Sequence, residues 1–472
     1  MRFHIFIAVL IFMLIAVPGF AEDITMEGFL ELVKANHPFF TKEALSADIE
    51  RKQAESYPGA QDWVFNITPS FSHLGKASAS EYSADRVDRF GIDTGISRSI
   101  WKTGGSFGLS ASTGYTNRDM SQEGITKSYK HGVGISYTHP LMQNSRGKLD
   151  RLAYELSDYT IEFTEVRALE NQEDFLLGVA VRYLDWVELS EMIEISKERL
   201  ALSQEQLQQV DKRFKANLVD RVDVLRGEDA VRIAEQTILQ LELQWKATRA
   251  ELSVLAGSDE LYEKSPSYDI YALAELPAED EASGRLKERS RLLKTFDILK
   301  SRLAGQREGL LEQKRSQLSL GVAGGVYGSD EKFGKSLGIY KPDASVSLVF
   351  IKTFGNNTLN AQIEKIDLQV RRIEEDKKSV EVSLEASLIN LLIQLSEMEK
   401  VLALNRAQIE SAEEKTKEEL KMYNQGRGQL TFVIQSRDNE ENAKMTYADN
   451  SALYHMLFLQ YRALLDELLS SE

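Results

Sequence analysis

The residues of this 472-residue chain that could do chemistry are carboxylates and arginines gathered in two stretches. The first stretch holds Asp220, Asp223, Glu228 and Asp229, and the second holds Arg427 and Arg437. If several copies of the chain meet at these stretches, the charges can form rings that select ions. They can also form salt bridges that hold the entrance of a pore closed. They can equally be ordinary solvated surface charge, and the sequence leaves both interpretations open.

Two other runs match the residue letters of catalytic motifs but not the structural context or the spacing that those motifs require. The run GGSFG at 104–108 fits G-x-S-x-G, but an alternating pattern follows it instead of a helix, so a hairpin turn is predicted. The run GSDEKFGKS at 328–336 has five residues before Gly-Lys where a phosphate loop needs four, and predicts a loop. The six histidines show no metal-ligand spacing. We therefore expect no enzyme activity, no metal and no cofactor.

The charged stretches lie in an internal repeat. Residues 214–255 reappear 209 positions later, so that Phe214 aligns with Tyr423 and Asp229 with Asp438. In each copy the helical pattern is interrupted by residues that disfavour a helix, Asn217 in one and Gly426-Arg427-Gly428 in the other. About ten further helical turns then follow. Because Asn and Gly tolerate left-handed backbone, helical hairpin tips are predicted near 217–221 and 425–430.

Proline placement predicts the long helices on either side of these tips. No proline occurs between Pro140 and Pro266 or after Pro342, and apolar residues there recur at three- and four-residue spacing. Helices are predicted from about 149 to 216 and from about 359 to 424, each roughly 100 Å long, within helical segments 141–256 and 355–472. Shorter helical segments are predicted at 22–60 and 277–317. Helices of such length form walls or a tunnel and do not fit one globule.

Two segments alternate with period two. About four strands are predicted in 61–140 and about two in 318–354, each apolar on one face and rich in Ser, Gly and Thr on the other. This pattern is typical of a membrane β-barrel with a polar lumen, and a soluble β-sandwich is the alternative. The first strands of the two repeats start at Phe65 and Leu318, which are 253 residues apart, whereas equivalent tip positions are 209 residues apart. The difference shows that the first copy carries 44 extra residues in its strand segment. They accommodate one more hairpin, turning at 102–105.

Composition limits the location and the partners. The formal net charge of −16 disfavours nucleic acid, and the absence of cysteine excludes disulfides and a lipid anchor on Cys. Residues 1–21 contain Arg2, an apolar core and small residues before position 22, which predicts a secretory signal peptide cut after Ala21. A membrane anchor is the alternative. Six strands are too few to close a membrane barrel, so a barrel must be shared between chains.

These residues also carry a family resemblance. NLVDRVDVL at 217–225 and GRGQLTFVIQSRD at 426–438, together with Asn36-His37-Pro38 and Pro140-Leu141, resemble the TolC-like outer-membrane efflux proteins over nearly the whole mature chain. The resemblance implies an α+β membrane protein in which a homotrimer shares an outer-membrane β-barrel of about eighteen strands. A long α-helical periplasmic tunnel, built from the two internal repeats, would continue the barrel.

The resemblance further implies a passive conduit of a tripartite efflux or type I secretion system. A periplasmic adaptor and an inner-membrane pump would be its partners, and outer-membrane lipid would surround the barrel. Segment 257–276 would form a small belt around the tunnel, with a plain linker as the alternative. From another class, a non-conducting periplasmic coiled-coil scaffold with a soluble sheet remains a second interpretation.

Site residues follow from the resemblance position by position. The expected periplasmic gate is Asp220, Asp223, Arg427 and Gln435. The expected adaptor-docking tips are Asn217, Leu218, Val219, Gly426, Arg427 and Gly428. Barrel-rim aromatics are expected at Trp63, Trp101 and Phe354. This sequence departs from the family in having Phe432 and Gln435 where aspartates often follow the second tip, so Asp220 and Asp223 are the better gate candidates.

Overall fold

A computed structural model describes residues 23–75, 84–120 and 124–469, so the predicted signal peptide at 1–21 lies outside the described residues. The chain divides into two compact units. One contains the N-terminal part to Glu43, Leu169–Arg291 and the residues from Glu381, and the other contains Ala44–Ala168 and Leu292–Val380. None of the described helices is long and apolar enough to cross a membrane.

Strands and helices follow the two predicted repeats. The strands are β1 (Ile24–Thr25), β2 (Val64–Gly75), β3 (Arg86–Ile100), β4 (Gly105–Met120), β5 (Gly124–Pro140), β6 (Pro266–Ser267), β7 (Gln317–Asp330) and β8 (Lys341–Ile351). The helices are α1 (Met26–Asn36), α2 (Pro38–Ser56), α3 (Lys148–Lys215), α4 (Arg221–Ala256), α5 (Glu279–Arg289), α6 (Arg291–Gln313), α7 (Phe333–Ser336), α8 (Asn357–Asn424) and α9 (Leu430–Leu464).

The larger sheet joins the two repeats edge to edge. Its order among the described strands is β2-β3-β4-β5-β7-β8, all antiparallel, with β5 of the first repeat paired directly to β7 of the second. The extra hairpin β3–β4 turns through Gly104, whose φ of 74° requires glycine. Strands β2 and β8 end the sheet on either side. Many apolar side chains on one face are exposed, for example Phe71 at 71% and Val346 at 74%.

The long helices α3 and α8 contain 68 residues each. The start of α3 is fixed by Asn144, whose side-chain oxygen accepts a hydrogen bond from the backbone N–H of Leu149 at 2.9 Å. Asn144 and Arg146 both adopt left-handed backbone there, with φ of 60° and 62°. The chain therefore leaves the sheet through a tight, specific turn before the helix begins.

The segment between the repeats is packed and is not a plain linker. Its strand β6 pairs in parallel with β1, and the Tyr183 hydroxyl of α3 donates a hydrogen bond to the Ile24 carbonyl at 2.6 Å. Leu261 and Ile270 are buried in the main core of this unit, together with Phe29, Tyr183 and Trp186. The order of the segment comes from burying these side chains.

The segments predicted as single helices, 22–60 and 277–317, are each broken into two. The breaks fall at His37 and Ser290, which are 253 residues apart, as the strand starts are. At His37 the cause is local, because a following proline disfavours helical backbone. At Ser290 the cause is tertiary, since the Arg291 backbone N–H donates to the Asp466 carboxylate at 2.7 Å. The second break therefore has no sequence signal.

Candidate functional site

The two predicted helical tips have the same backbone geometry. Asn217 and Gly426 are left-handed, with φ of 56° and 73°. The N–H of Leu218 donates to the Arg213 carbonyl at 2.9 Å, and the N–H of Arg427 donates to the Met422 carbonyl at 2.9 Å. This six-to-one hydrogen bond is the C-terminal Schellman motif, so the repeat is preserved at each tip down to its hydrogen bonds.

Apolar side chains pack the two tips together. Val210, Val224, Tyr423, Leu430 and Val433 form a buried cluster contributed by α3, α4, α8 and α9. Leu218, in contrast, is 73% exposed at the end of its tip. The tips therefore combine a shared core with an exposed apolar end.

Arg213 links one tip to the other, and the sequence analysis missed it. Its guanidinium donates to the carbonyls of Tyr423 and Asn424 at 3.1 Å each and lies 4.5 Å from the Tyr423 ring centroid. These carbonyls belong to the last turn of α8, where helix carbonyls lack intrahelical donors and favour a cation. A basic residue in the last turn of α3 was visible in the sequence, but nothing there indicated its partner 210 residues away.

The structure does not bring the predicted gate charges together within one chain. Asp220 is exposed at the N-cap position of α4, and Asp223 accepts a hydrogen bond from Arg226 of its own helix at 3.1 Å. Arg427 and Gln435 are exposed. Among the described residues no salt bridge joins Arg427 to either aspartate. A pairing between copies of the chain stays a prediction.

Arg437 is buried within the chain. It donates to the Leu202 carbonyl, and burial followed by the charge of Arg199 lowers the pKa of Arg437. Arg199 itself pairs with Asp438 at 2.5 Å. Lys444 lies within 3.2 Å of Glu198, Glu413 and Glu440; burial opposes its charge, but hydrogen bonds to Glu440 and Glu198 raise the pKa of Lys444. These ion pairs tie α3, α8 and α9 together behind the tips.

The predicted rim aromatics share one end of the sheet but not one environment. Trp63 precedes β2, Trp101 follows β3 and Phe354 follows β8. Trp63 and Phe354 are exposed, whereas Trp101 is only 8% exposed. The Trp101 carbonyl packs so closely on Gly147 that a Cβ there would lie 1.8 Å away. Trp101 therefore packs against the turn before α3, and its place at a barrel rim stays a prediction.

The motif-like runs hold no catalytic arrangement in the described structure. The serine of GGSFG lies in β4 directly after the turn, and residues 328–336 form the end of β7, a turn and the four-residue α7. In the part of the chain that the structure describes, no group of three or more His, Asp or Glu side chains could hold a metal ion.

Two repeats of long helices, joined through one antiparallel sheet, are an architecture similar to that of TolC-like outer-membrane efflux channels. Residues 106–258 match the family model described as outer membrane efflux protein, which is a family of efflux proteins and not of enzymes. The resemblance inferred from the sequence is thus confirmed. No curated protein matches the chain in sequence.

Solved structures of such channels share the fold. The outer-membrane channel OprN is 13% identical, with a TM-score of 0.66 over 94% of this chain and 90% of OprN. VceC from Vibrio cholerae is 11% identical, with a TM-score of 0.66 over 93% of this chain and 96% of VceC. CmeC from Campylobacter jejuni is 12% identical, with a TM-score of 0.63 over 95% and 87%. At this level of identity the likeness shows the fold alone.

Proposed function

We propose that the chain is the outer-membrane channel of a tripartite efflux or type I secretion system, a passive conduit from periplasm to exterior. The observation that carries this proposal is the six-stranded sheet with an exposed apolar face and two unpaired edge strands, β2 and β8. Open edges cannot remain in lipid because each unpaired backbone group there costs several kcal/mol. Three copies pairing edge to edge give a closed barrel of about eighteen strands.

Exposed apolar side chains on the long helices support the same assembly. Leu239, Leu243 and Val254 on α4 are at least 67% exposed, as are Val382 and Leu404 on α8. Large apolar side chains exposed in rows along a helix are typical of surfaces covered by another chain. We propose that neighbouring copies cover them, so that the helices form a periplasmic tunnel below the barrel.

The tips are the proposed contact with the rest of the exporter. Asn217, Leu218, Val219, Gly426, Arg427 and Gly428 lie at the two hairpin ends, where Leu218 and Arg427 are exposed. A rigid turn with an exposed apolar side chain suits docking on a periplasmic adaptor, and through it an inner-membrane pump would supply the energy. Asp220, Asp223, Arg427 and Gln435 would face the mouth of the tunnel and form its gate.

The test of this proposal is assembly and conductance. The mature protein should fractionate with the outer membrane, run as a heat-sensitive trimer in detergent and give discrete single-channel currents in planar bilayers. A monodisperse monomer found among soluble periplasmic proteins, with no currents, would support the scaffold alternative instead.

Cysteine labelling should reveal the two faces of the extra hairpin. We expect Ser106→Cys and Ser110→Cys to react with a water-soluble thiol reagent in intact outer membranes, because they share the polar face. Phe107→Cys and Leu109→Cys should stay unlabelled, because they would face lipid. The natural chain has no cysteine, so the unmodified protein is the blank. Equal labelling of all four positions would show that the hairpin is a surface loop.

A further inference from the structure

The polar face of the large sheet carries a local positive charge that the composition hides. Strand register places Ser112, Gly132, Tyr327 and Lys341 in one row across β4, β5, β7 and β8, so they share a face. The charged strand residues described on that face are the cations Arg89, Arg118, Lys130 and Lys341 and the carboxylates Asp93 and Asp343. This gives +2 on the face of a chain whose net charge is −16.

Two of these cations flank one aromatic ring. The Lys130 Nζ lies 4.9 Å and the Lys341 Nζ 5.9 Å from the ring centroid of Tyr327. Ring and ammonium attract each other electrostatically, which places two like charges beside a single side chain. No salt bridge joins either lysine to another residue in the described part of the chain. With Asp343, which shares their face, the two lysines contribute a local charge of +1.

The surface beside this ring is hollow because the neighbouring positions lack side chains. Gly132, Gly134 and Gly325 form the floor of a depression of about 340 Å³, and Ser110, Ser112 and Ser345 border it. A Cβ at Gly325 would lie 2.6 Å from the Val133 carbonyl, so the close approach of β5 and β7 needs glycine. Lys130 and Tyr327 line the same depression, and so does the carboxylate of Asp343, whereas Lys341 lies next to the depression beside the Tyr327 ring. Hydroxyl donors and an ammonium group can hold a small anion there, and Asp343 opposes it.

The two lysines lie far from the end of the sheet that leads into the long helices. Lys130 and Lys341 are toward the strand ends that lead into hairpin loops, and the opposite end of β5, Pro140, leads into the turn before α3. The predicted acidic gate belongs to the tips, in the other unit of the chain. Charges on the sheet and charges at the tips are thus separate features that can be varied independently.

We propose that Lys130 and Lys341, arranged about Tyr327, form an anion-preferring element in the barrel part of the pore, which favours passage of small carboxylate- or phosphate-bearing solutes. The inference rests on the proposed channel function and on the polar face being lumenal. In a trimer the pair occurs three times around the pore, and such rings of Lys or Arg select anions. Because exposed charges are screened over about 10 Å at 0.1 M salt, the preference is strongest at low ionic strength.

Bilayer measurement of the zero-current potential in a KCl gradient tests the proposal. We expect the double variant Lys130→Gln, Lys341→Gln to lower the chloride-to-potassium permeability ratio by about threefold at low salt. Lys127→Gln is the matched control for Lys130→Gln, since it removes the same charge from the opposite face of the same strand and should leave the ratio unchanged.

Charge restoration on assembled channels guards against a folding artefact. In Lys130→Cys, Lys341→Cys channels, a cationic aminoethyl thiol reagent should return the permeability ratio toward the wild-type value, and a neutral reagent of similar size should not. Currents of normal size with a ratio insensitive to these changes would overturn the anion preference and leave the channel function standing. A wild-type protein that gives no currents would overturn both.

Discussion

Replacing Arg291 with alanine is expected to lower the free energy of unfolding by about 3–5 kcal/mol, as removal of one partner from a buried ion pair does. Its guanidinium contacts Glu170 at 2.9 Å, Glu173 at 2.6 Å and Asp466 at 3.1 Å. The Glu173 side chain is only 4% exposed, and its carboxylate also accepts the backbone N–H groups of Leu468 and Leu469. Without Arg291 the three carboxylates lose a cation that they share, and the C-terminal segment loses the contacts that hold it.

The loss of unfolding free energy in Arg291→Ala should be smaller at low pH than at high pH. Burial, followed by the charge of Asp466, raises the pKa of Glu170 from 4.5 to about 7 even with Arg291 present. A carboxyl whose pKa is raised on folding destabilises the folded state as pH rises from its unfolded pKa through its folded pKa. Removing the cation adds to that cost, so the variant should be closer to wild type at pH 5 than at pH 8.

Denaturant titrations of the purified protein followed by circular dichroism at both pH values measure these effects. Arg182→Ala is the matched control, because Arg182 is an exposed arginine of the same unit that pairs with Asp185 and Glu251. It should change the midpoint little. If Arg291→Ala were as mild as Arg182→Ala, the cluster would not anchor the C-terminal segment.

Arg213→Ala should loosen the tips and raise the open probability of the reconstituted channel by about tenfold. The reason is the loss of the charge-assisted hydrogen bonds to the Tyr423 and Asn424 carbonyls, each worth about 1.5 kcal/mol or more, together with the contact on the Tyr423 ring. Single-channel recording measures open probability directly. Uptake of large antibiotics by cells carrying the variant should rise in parallel.

Lys215→Ala controls for the loss of one positive charge near the tip, because Lys215 pairs only with Asp211 of its own helix among the described residues. It should leave open probability unchanged. Arg427→Glu distinguishes the proposed gate between copies from the intrachain clasp, by which we mean the hydrogen bonds of Arg213 to the Tyr423 and Asn424 carbonyls. If it opens the channel and Asp220→Arg partly restores closure, the gate charges pair between chains. If Arg213→Ala leaves gating as in the wild type, the clasp has no part in closure.

Local chemistry explains what the sequence could predict. Asn217 and Gly426 indicated both tips because few other residues adopt left-handed backbone. The apolar spacing within the proline-free runs predicted the ends of α3 and α8 to within two residues. Period-two alternation likewise identified the strands, since each pattern needs only neighbours in the chain.

Contacts between distant residues explain what could not be predicted. The break at Ser290 depends on Asp466, and the burial of Trp101 depends on Gly147 and a turn with two left-handed residues. The clasp of Arg213 depends on carbonyls of another helix. In each case the residue type was compatible with several environments, and only the tertiary fold selected one.

In the proposed trimer, the hairpin β3–β4 would make the width of the pore independent of the helices that form the tunnel. Because β2 and β5 run in opposite directions, removing β3 and β4 would still let β2 and β5 pair as antiparallel neighbours. A trimer would then close with about twelve strands instead of about eighteen, and barrel diameter grows roughly linearly with strand number. The helices and tips lie elsewhere in the chain, so in the proposed trimer one insertion in one repeat would enlarge the bore by about half without changing the tips proposed to dock on the adaptor.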